Sequence, residues 1–302
     1  MREPLIAGFG FATIGQRQDL ADLDRALGRI EDAGASHAEL ELFAADLIAG
    51  ERVLPGPRRR LEQLCARRRL HYTAHGTLSV NFMDEPNLDR HKAVCRANLE
   101  LAAAVGATVV VIHPGFIPVR PAQELDRLHA VERAAWREMG DLAGSLGMRI
   151  AVETLFVESD REYTADPVRL AVEIRAAGHP HVVGTLDVSH SYLMTSFRGT
   201  SFTDAVAAFA PVTGHFHLHD SFGRPPGSMT GFYTESERLA FGVGDLHLPF
   251  GWGDIPFETL LPGLPVLPGS VLLVELPERF WVELDSCAAF ARQLMELMNA
   301  SI

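Results

Sequence analysis

Cysteine is scarce in this sequence of 302 residues, and the three that occur have no paired spacing. Cys65, Cys95 and Cys287 fall within segments of helical periodicity, so we expect no disulfide framework and a reducing, cytoplasmic location. The sequence also lacks a run of about 18 apolar residues that could span a bilayer, and it has no N-terminal signal pattern. We therefore expect no membrane association.

A surplus of basic residues is also missing. The 27 Lys and Arg stand against 39 Asp and Glu, which gives a formal net charge of -12. Nonspecific binding to nucleic acid or to an anionic membrane requires a basic surface, so both partners are disfavoured, whereas a site that concentrates cations suits this charge. The length and the 47% hydrophobic content predict one domain over residues 1–302 and leave the oligomeric state open.

Short β-branched runs alternate with longer amphipathic segments along the whole chain, and no linker or repeat interrupts them. Eight strand-then-helix units in one series predict a single (β/α)8 TIM barrel, an α/β fold whose active face lies at the C-terminal ends of parallel strands. The predicted strands are residues 5–12, 37–43, 70–75, 107–115, 148–154, 181–187, 213–219 and 271–275.

Metal-binding residue types occur at or near the C-terminal ends of these predicted strands. A Gly-rich segment, GVGDLHLPFGWGDIPF, adds Asp245 and His247, whose spacing of two lets both side chains bind one cation in an extended loop. Imidazole and carboxylate ligands suit zinc, manganese or iron. One ion rarely takes more than about six ligands, so the full set predicts up to three ions per chain. The predicted metal ligands are His75, His113, Glu153, Asp187, His190, His217, Asp245, His247 and Glu275.

Four further residues flank these predicted ligands. His219 and Asp220 follow the seventh predicted strand, and we expect them to contact the substrate. Trp252 could stack on a sugar ring, so it is a third predicted substrate-binding residue. His215 alternates with Phe216, and we expect it to face the outer layer of helices.

Several of these motifs resemble the xylose isomerase-like barrel superfamily, which includes sugar isomerases and epimerases as well as the endonuclease IV group. Glu153 in AVETLF, Asp187 in GTLDVSH, His217 in HFHLHD and Glu275 in LLVELPE resemble the four-ligand core of the sugar epimerases. The resemblance implies that these four residues share one ion. It also implies that Glu153 and Glu275 carry the substrate proton.

The other five predicted ligands resemble the additional ligands of the endonuclease IV group. The resemblance implies one ion on His75, His113 and Glu153, and another on His190, Asp245 and His247. The loops after the second and third predicted strands read FAADLIAG and HGTLSVNF. They contain no Arg or Tyr that could enter a DNA groove or stack on a base, so we do not expect a DNA substrate.

The favoured function is therefore a metal-dependent isomerase or epimerase that acts on a sugar or a sugar-like small molecule through an ene-diolate. The alternative is a trinuclear-metal hydrolase of a small phosphoester, which the nine predicted ligands favour. A multi-iron oxidase and a metal-binding barrel without activity are weaker alternatives.

Overall fold

Eight parallel strands close into a barrel in which each strand pairs with the next along the chain and the last pairs with the first. The computed structural model describes residues 3–15, 17–118, 121–157, 161–163 and 166–301. The predicted (β/α)8 TIM barrel is confirmed. Its strands are β1 (Ile6–Ala12), β2 (His37–Glu41), β3 (His71–His75), β4 (Val109–Ile112), β5 (Arg149–Glu153), β6 (Val182–Asp187), β7 (Thr213–Leu218) and β8 (Ser270–Val274).

Helices connect the strands and pack around the barrel. The start of one helix shows how the local sequence sets these boundaries: Asp166 accepts hydrogen bonds from the backbone N–H groups of Val168 and Arg169, and Pro167 occupies the first turn. The described α-helices are α1 (Leu23–Asp32), α2 (Pro55–Cys65), α3 (Leu88–Ala104), α4 (Ala122–Ser145), α5 (Pro167–Ala177), α6 (Val188–Arg198), α7 (Phe202–Phe209), α8 (Glu235–Phe241), α9 (Phe257–Leu260) and α10 (Leu284–Ala300).

The strands are buried on both faces, as in other barrels whose helices cover the sheet. The main core includes large side chains such as Trp136, Phe209 and Phe216, which are fully buried. A separate apolar cluster joins β4, β5 and β6 and consists of Val109, Val111, Ala151 and Val183. Successive strand residues point to opposite faces, so one set packs against helices while the other fills the barrel.

Two helices, α6 and α8, lie close in sequence to predicted metal ligands. Helix α6 begins directly after β6, and Asp187 caps it by accepting the backbone N–H of His190 at 2.7 Å. Helix α8 lies inside the long segment that precedes Asp245, and Thr234 and Glu237 form a capping box at its start. No helix among the described residues is both long and apolar enough to cross a membrane.

Candidate metal centre

A cavity of about 440 Å³ opens at the C-terminal ends of the barrel strands. Seven predicted metal ligands line it: His75, His113, Glu153, His190, Asp245, His247 and Glu275. Asp187 and His217 lie beneath and are fully buried. The structure thus brings all nine predicted ligands together at the C-terminal end of the barrel. Glu41 and Phe43 also line the cavity, although the sequence analysis gave them no role.

The first group of ligands consists of His75, His113 and Glu153. The Nε2 atoms of His75 and His113 lie 3.1 Å and 3.4 Å from Oε2 of Glu153. The Nδ1 atom of His75 lies 3.1 Å from the carbonyl oxygen of Gly76. A proton on that Nδ1 would complete a hydrogen bond to the carbonyl, which leaves Nε2 with its lone pair directed at the same point as the carboxylate.

The second group lies at the centre of the barrel mouth, around His217. Its Nδ1 atom lies 3.2 Å from Oε1 of Glu153 and 3.4 Å from Oε1 of Glu275. Asp187 offers a carboxylate oxygen within 4.8 Å of His217 and Glu275 ligand atoms. Two glutamates on different strands therefore converge on one imidazole nitrogen, and both border the cavity.

The third group is formed by His190, Asp245 and His247. Oδ2 of Asp245 lies 3.3 Å from Nε2 of His190 and 2.8 Å from Nε2 of His247. His219 lies in the same cluster, with Nδ1 3.7 Å from Oδ1 of Asp245. The backbone of His247 has a φ of 48°, an uncommon conformation for a residue other than glycine. Such a conformation persists where surrounding contacts hold it.

A buried polar layer supports His217 from below, and it corrects the expectation for His215. Oε1 of Glu39 lies 2.8 Å from Nε2 of His217, while Oε2 accepts a hydrogen bond from Thr73 and lies 3.2 Å from Nε2 of His215. His215 therefore faces the barrel interior, and the expectation that it faces the helices was wrong. Positions 215, 217 and 219 are two residues apart, and this spacing puts side chains on the same face of a strand. It should have placed His215 on the same side as His217.

Glu39 should control how tightly His217 can bind an ion. Its contact with Nε2 holds the proton there and leaves Nδ1 directed at Glu153 and Glu275. In Glu39→Gln the amide no longer selects this tautomer, so we expect metal affinity to fall about 10- to 100-fold. Isothermal titration with zinc measures the loss. Unchanged affinity in a folded variant would show that Glu39 does not orient His217.

Charge pairing dominates the electrostatics of the site. Burial would raise the pKa of Glu153, but His217 and the neighbouring imidazoles hold that pKa well below its usual range. Burial likewise opposes the charged form of His190, yet Asp187 and Asp245 keep its pKa well above the usual value. The site therefore combines ionised carboxylates with imidazoles, such as that of His190, that favour the protonated form. A divalent cation can replace those protons because imidazole and carboxylate both bind it.

Two buried atoms fit the same interpretation. Nδ1 of His219 and Oδ1 of Asp245 have no hydrogen-bond partner within the described part of the chain. A buried polar atom without a partner is costly, and a bound cation would satisfy both. The donor set and these two atoms therefore fit divalent transition-metal ions.

The three predicted substrate-binding residues lie away from the cavity wall. His219 is fully buried behind the wall, with Nε2 3.2 Å from Oδ2 of Asp187. Trp252 is 44% exposed and packs edge-on against Phe280. Asp220 is buried, and its carboxylate accepts backbone N–H groups of the loop at residues 251–255. Contact with a substrate remains a prediction for these residues.

Asp220 should stabilise the fold through this loop. Its carboxylate accepts the N–H groups of Gly251, Gly253 and Ile255 at 2.9 Å, 3.0 Å and 3.2 Å. A Cβ at Gly253 would lie 2.4 Å from Oδ1 of Asp220, so the backbone can approach this closely only at glycine. Asp220→Ala leaves these donors without an acceptor and should lower the free energy of unfolding by about 2 kcal/mol. Urea denaturation measures this, and the exposed Asp32→Ala serves as a control that should change little.

Comparisons with known proteins agree with this architecture. The sequence profile of a family described as "Xylose isomerase-like TIM barrel" matches residues 27–297. None of the curated proteins compared with the chain matches it.

Solved structures resemble the chain over nearly its full length. A D-tagatose 3-epimerase-like protein has a TM-score of 0.70 and 17% identity, covering 97% of this chain and 98% of that one. An L-ribulose 3-epimerase has a TM-score of 0.68 and 15% identity, covering 98% and 95%. The IOLI protein, solved with a zinc atom, has a TM-score of 0.67 and 15% identity, covering 98% and 99%. At these identities the similarity shows the fold.

Proposed function

Because the chain belongs to the xylose isomerase-like TIM barrel family, we propose that it is a metal-dependent isomerase or epimerase of a sugar or sugar-like small molecule. The observation that carries this proposal is the convergence of Glu153 and Glu275 on Nδ1 of His217. Two carboxylates from different strands can exchange protons with one substrate held between them. The names of two similar structures, a D-tagatose 3-epimerase-like protein and an L-ribulose 3-epimerase, add support.

Glu153, Asp187, His217 and Glu275 would hold the divalent ion of this reaction. When bound, such an ion supplies positive charge that favours an oxyanion on the substrate. One glutamate removes the proton from a carbon beside the substrate carbonyl. The other returns a proton to the opposite face of that carbon, which gives epimerisation. Isomerisation results if the proton is returned to the neighbouring carbon and the hydroxyl proton of the first carbon moves to the former carbonyl oxygen.

The cavity has a size suited to such a substrate. Its volume of about 440 Å³ lies within the range of small-molecule sites, about 300 to 1,000 Å³. Phe43 and Leu78 add apolar side chains to the lining, and Phe43 packs edge-on against His75. Apolar side chains beside a bound sugar help to exclude water from the abstracted proton. A carbohydrate-like small molecule is therefore the partner we propose.

Hydrogen exchange in heavy water tests the proposal directly. The metal-stripped protein is loaded with manganese, zinc, iron or cobalt and incubated with a panel of ketoses and aldoses. We expect metal-dependent deuterium incorporation at a carbon beside the carbonyl, together with a new sugar, both detected by proton NMR. If no member of the panel exchanges, while phosphodiesters are hydrolysed, the isomerase proposal is wrong.

A second candidate is a trinuclear-metal hydrolase of a small phosphoester. The observation in its favour is that the nine candidate ligands fall into adjoining clusters in which Glu153, Asp187 and His190 each belong to two. Three ions could hold the attacking and leaving oxygens of a phosphoryl centre. Release of nitrophenol from a bis(nitrophenyl) phosphate, in proportion to bound metal, would support it. The net charge of -12 weighs against a nucleic-acid substrate.

A further inference from the structure

We propose that His219 is a fourth ligand of the outer cation site, which His190, Asp245 and His247 also form, and that this closes the site around a structural zinc-like ion. The inference rests on the metal dependence of the proposed function, but not on its substrate or reaction. We call these four residues the outer cation site. Their ligand atoms all lie within 4.8 Å of one another.

The distances around Asp245 match the edges of one coordination sphere. Oδ2 of Asp245 lies 3.3 Å from Nε2 of His190 and 2.8 Å from Nε2 of His247, and Oδ1 lies 3.7 Å from Nδ1 of His219. Zinc–nitrogen bonds of about 2.1 Å in a tetrahedron separate neighbouring ligand atoms by about 3.4 Å. All three imidazoles therefore meet the carboxylate at spacings that one ion can bridge.

Each of the three imidazoles is oriented through its other ring nitrogen. Nδ1 of His190 lies 3.1 Å from the carbonyl oxygen of Thr154, and Nδ1 of His247 lies 3.3 Å from that of Glu275. Nε2 of His219 lies 3.2 Å from Oδ2 of Asp187. A proton on each of these nitrogens completes a hydrogen bond to an oxygen and directs the opposite lone pair at Asp245. This is the arrangement that orients histidine ligands in metal sites.

The contacts of His219 in particular point to a cation. Its side chain is fully buried, and Nδ1 has no hydrogen-bond partner among the described residues, nor has Oδ1 of Asp245 opposite it. The ring of His219 also stacks on that of His247, with centroids 4.1 Å apart and an angle of 9° between the planes.

Four protein ligands would fill a tetrahedral coordination sphere at the outer cation site, although three of them, His190, Asp245 and His247, also line the cavity. Structural zinc sites are typically closed by four protein ligands. The outer ion would tie the first turn of α6 to the end of β7 and to the loop that carries His247. It would hold the uncommon backbone conformation of His247 in place.

The experiment compares His219→Asn with the wild type and with a control, His179→Asn, which removes a histidine that contacts Asp141 at the opposite end of β6. Each protein is stripped, reloaded with zinc, desalted and analysed for metal per chain by plasma mass spectrometry. A chromophoric chelator gives the affinities. We expect His219→Asn to bind one ion at least about 100-fold more weakly than the other two proteins.

The cobalt-substituted proteins provide a readout that does not depend on activity. Tetrahedral cobalt absorbs visible light much more strongly than six-coordinate cobalt, so the wild type should show intense bands, and His219→Asn should lose the part that the outer ion contributes. The double variant His219→Asn/His247→Asn should lose no more than the same single ion. Loss of a second ion, or unchanged affinity of every ion in His219→Asn, would overturn the proposal.

A folding defect would not leave the question open. If circular dichroism shows that His219→Asn is unfolded, the wild type and His219→Gln are compared instead. Absence of tetrahedral cobalt bands in the fully loaded wild type overturns the proposal. Presence of these bands in the wild type and their loss in His219→Gln support it. Failure of the wild type to retain any metal also overturns it. Failure to convert sugars, with these bands present, contradicts only the proposed reaction.

Discussion

Glu153→Gln should lower kcat/KM for sugar conversion by about 10³-fold or more. The reason is that this carboxylate has two roles: it lies within 3.5 Å of four imidazoles, on His75, His113, His190 and His217, and it is the proposed proton carrier. General acid–base catalysis alone contributes about 10² to 10⁴ in rate. The measurement is steady-state conversion of the sugar identified by the deuterium-exchange panel, at saturating metal.

Metal analysis separates the two roles of Glu153. If the variant retains fewer ions than the wild type, loss of a ligand explains part of the effect, and the rate is compared per bound ion. Glu275→Gln should show a similar loss of rate but a smaller loss of metal from the His75 and His113 group, which Glu275 does not contact. The surface variant Glu138→Gln is the matched control. Activity above a tenth of wild type in Glu153→Gln would exclude it as the proton carrier.

The barrel could be predicted because its signals are local. Several apolar runs end on or next to a polar residue, as β4 is followed by His113 and β5 ends on Glu153, and the parallel arrangement sends these ends to one side. The boundaries differ by a few residues because strand ends depend on neighbouring strands: the fourth strand was predicted at 107–115 and spans Val109–Ile112. The capping box at Thr234 and Glu237 was a readable signal for α8 that was overlooked.

The details of the site depend on contacts between distant residues, which local patterns do not contain. Glu39 supports His217 across 178 positions of sequence, and only barrel closure brings the two together. Asp220 was predicted to contact the substrate because it follows a barrel strand, and that contact stays a prediction. What the local pattern did not show is that its carboxylate accepts backbone N–H groups of a loop some thirty residues further on. The direction of an imidazole, as for His219, depends on which ring nitrogen is hydrogen-bonded, and sequence alone does not specify that.

Removing the metal should lower the free energy of unfolding and reverse its dependence on pH. An ion present at about 1,000 times its dissociation constant stabilises the folded chain by about 4 kcal/mol, provided that it binds only the folded state. Without the ion, protonated imidazoles pair with the same carboxylates and stabilise them. Burial would lower the pKa of His247, but Asp245 and Glu275 raise that pKa from 6.5 to about 9.

The sign of this effect follows from the direction of the pKa shift. A histidine whose pKa is raised by folding stabilises the metal-free protein fully below pH 6.5, and this stabilisation is lost as the pH rises to about 9. The stabilisation from His247 is at most about 3 kcal/mol. Solvent screening makes it smaller, because a quarter of the side chain is exposed. His190 and His217 have raised pKa values too and act in the same direction. Metal-free protein should therefore lose stability between pH 6.5 and about 9.

The metal-loaded protein should behave in the opposite way over the same range. His247 binds an ion as a neutral ring, so below about pH 9 the ion must displace a proton, and binding tightens as the pH rises. Urea denaturation with a chelator and with excess zinc, each at both ends of this range, measures the two slopes. In His247→Asn the slope of the metal-free protein should flatten. If the metal-free protein instead becomes more stable as the pH rises, protons do not take the place of cations at this site. The ion pairs between carboxylates and protonated imidazoles are then not what the metal replaces.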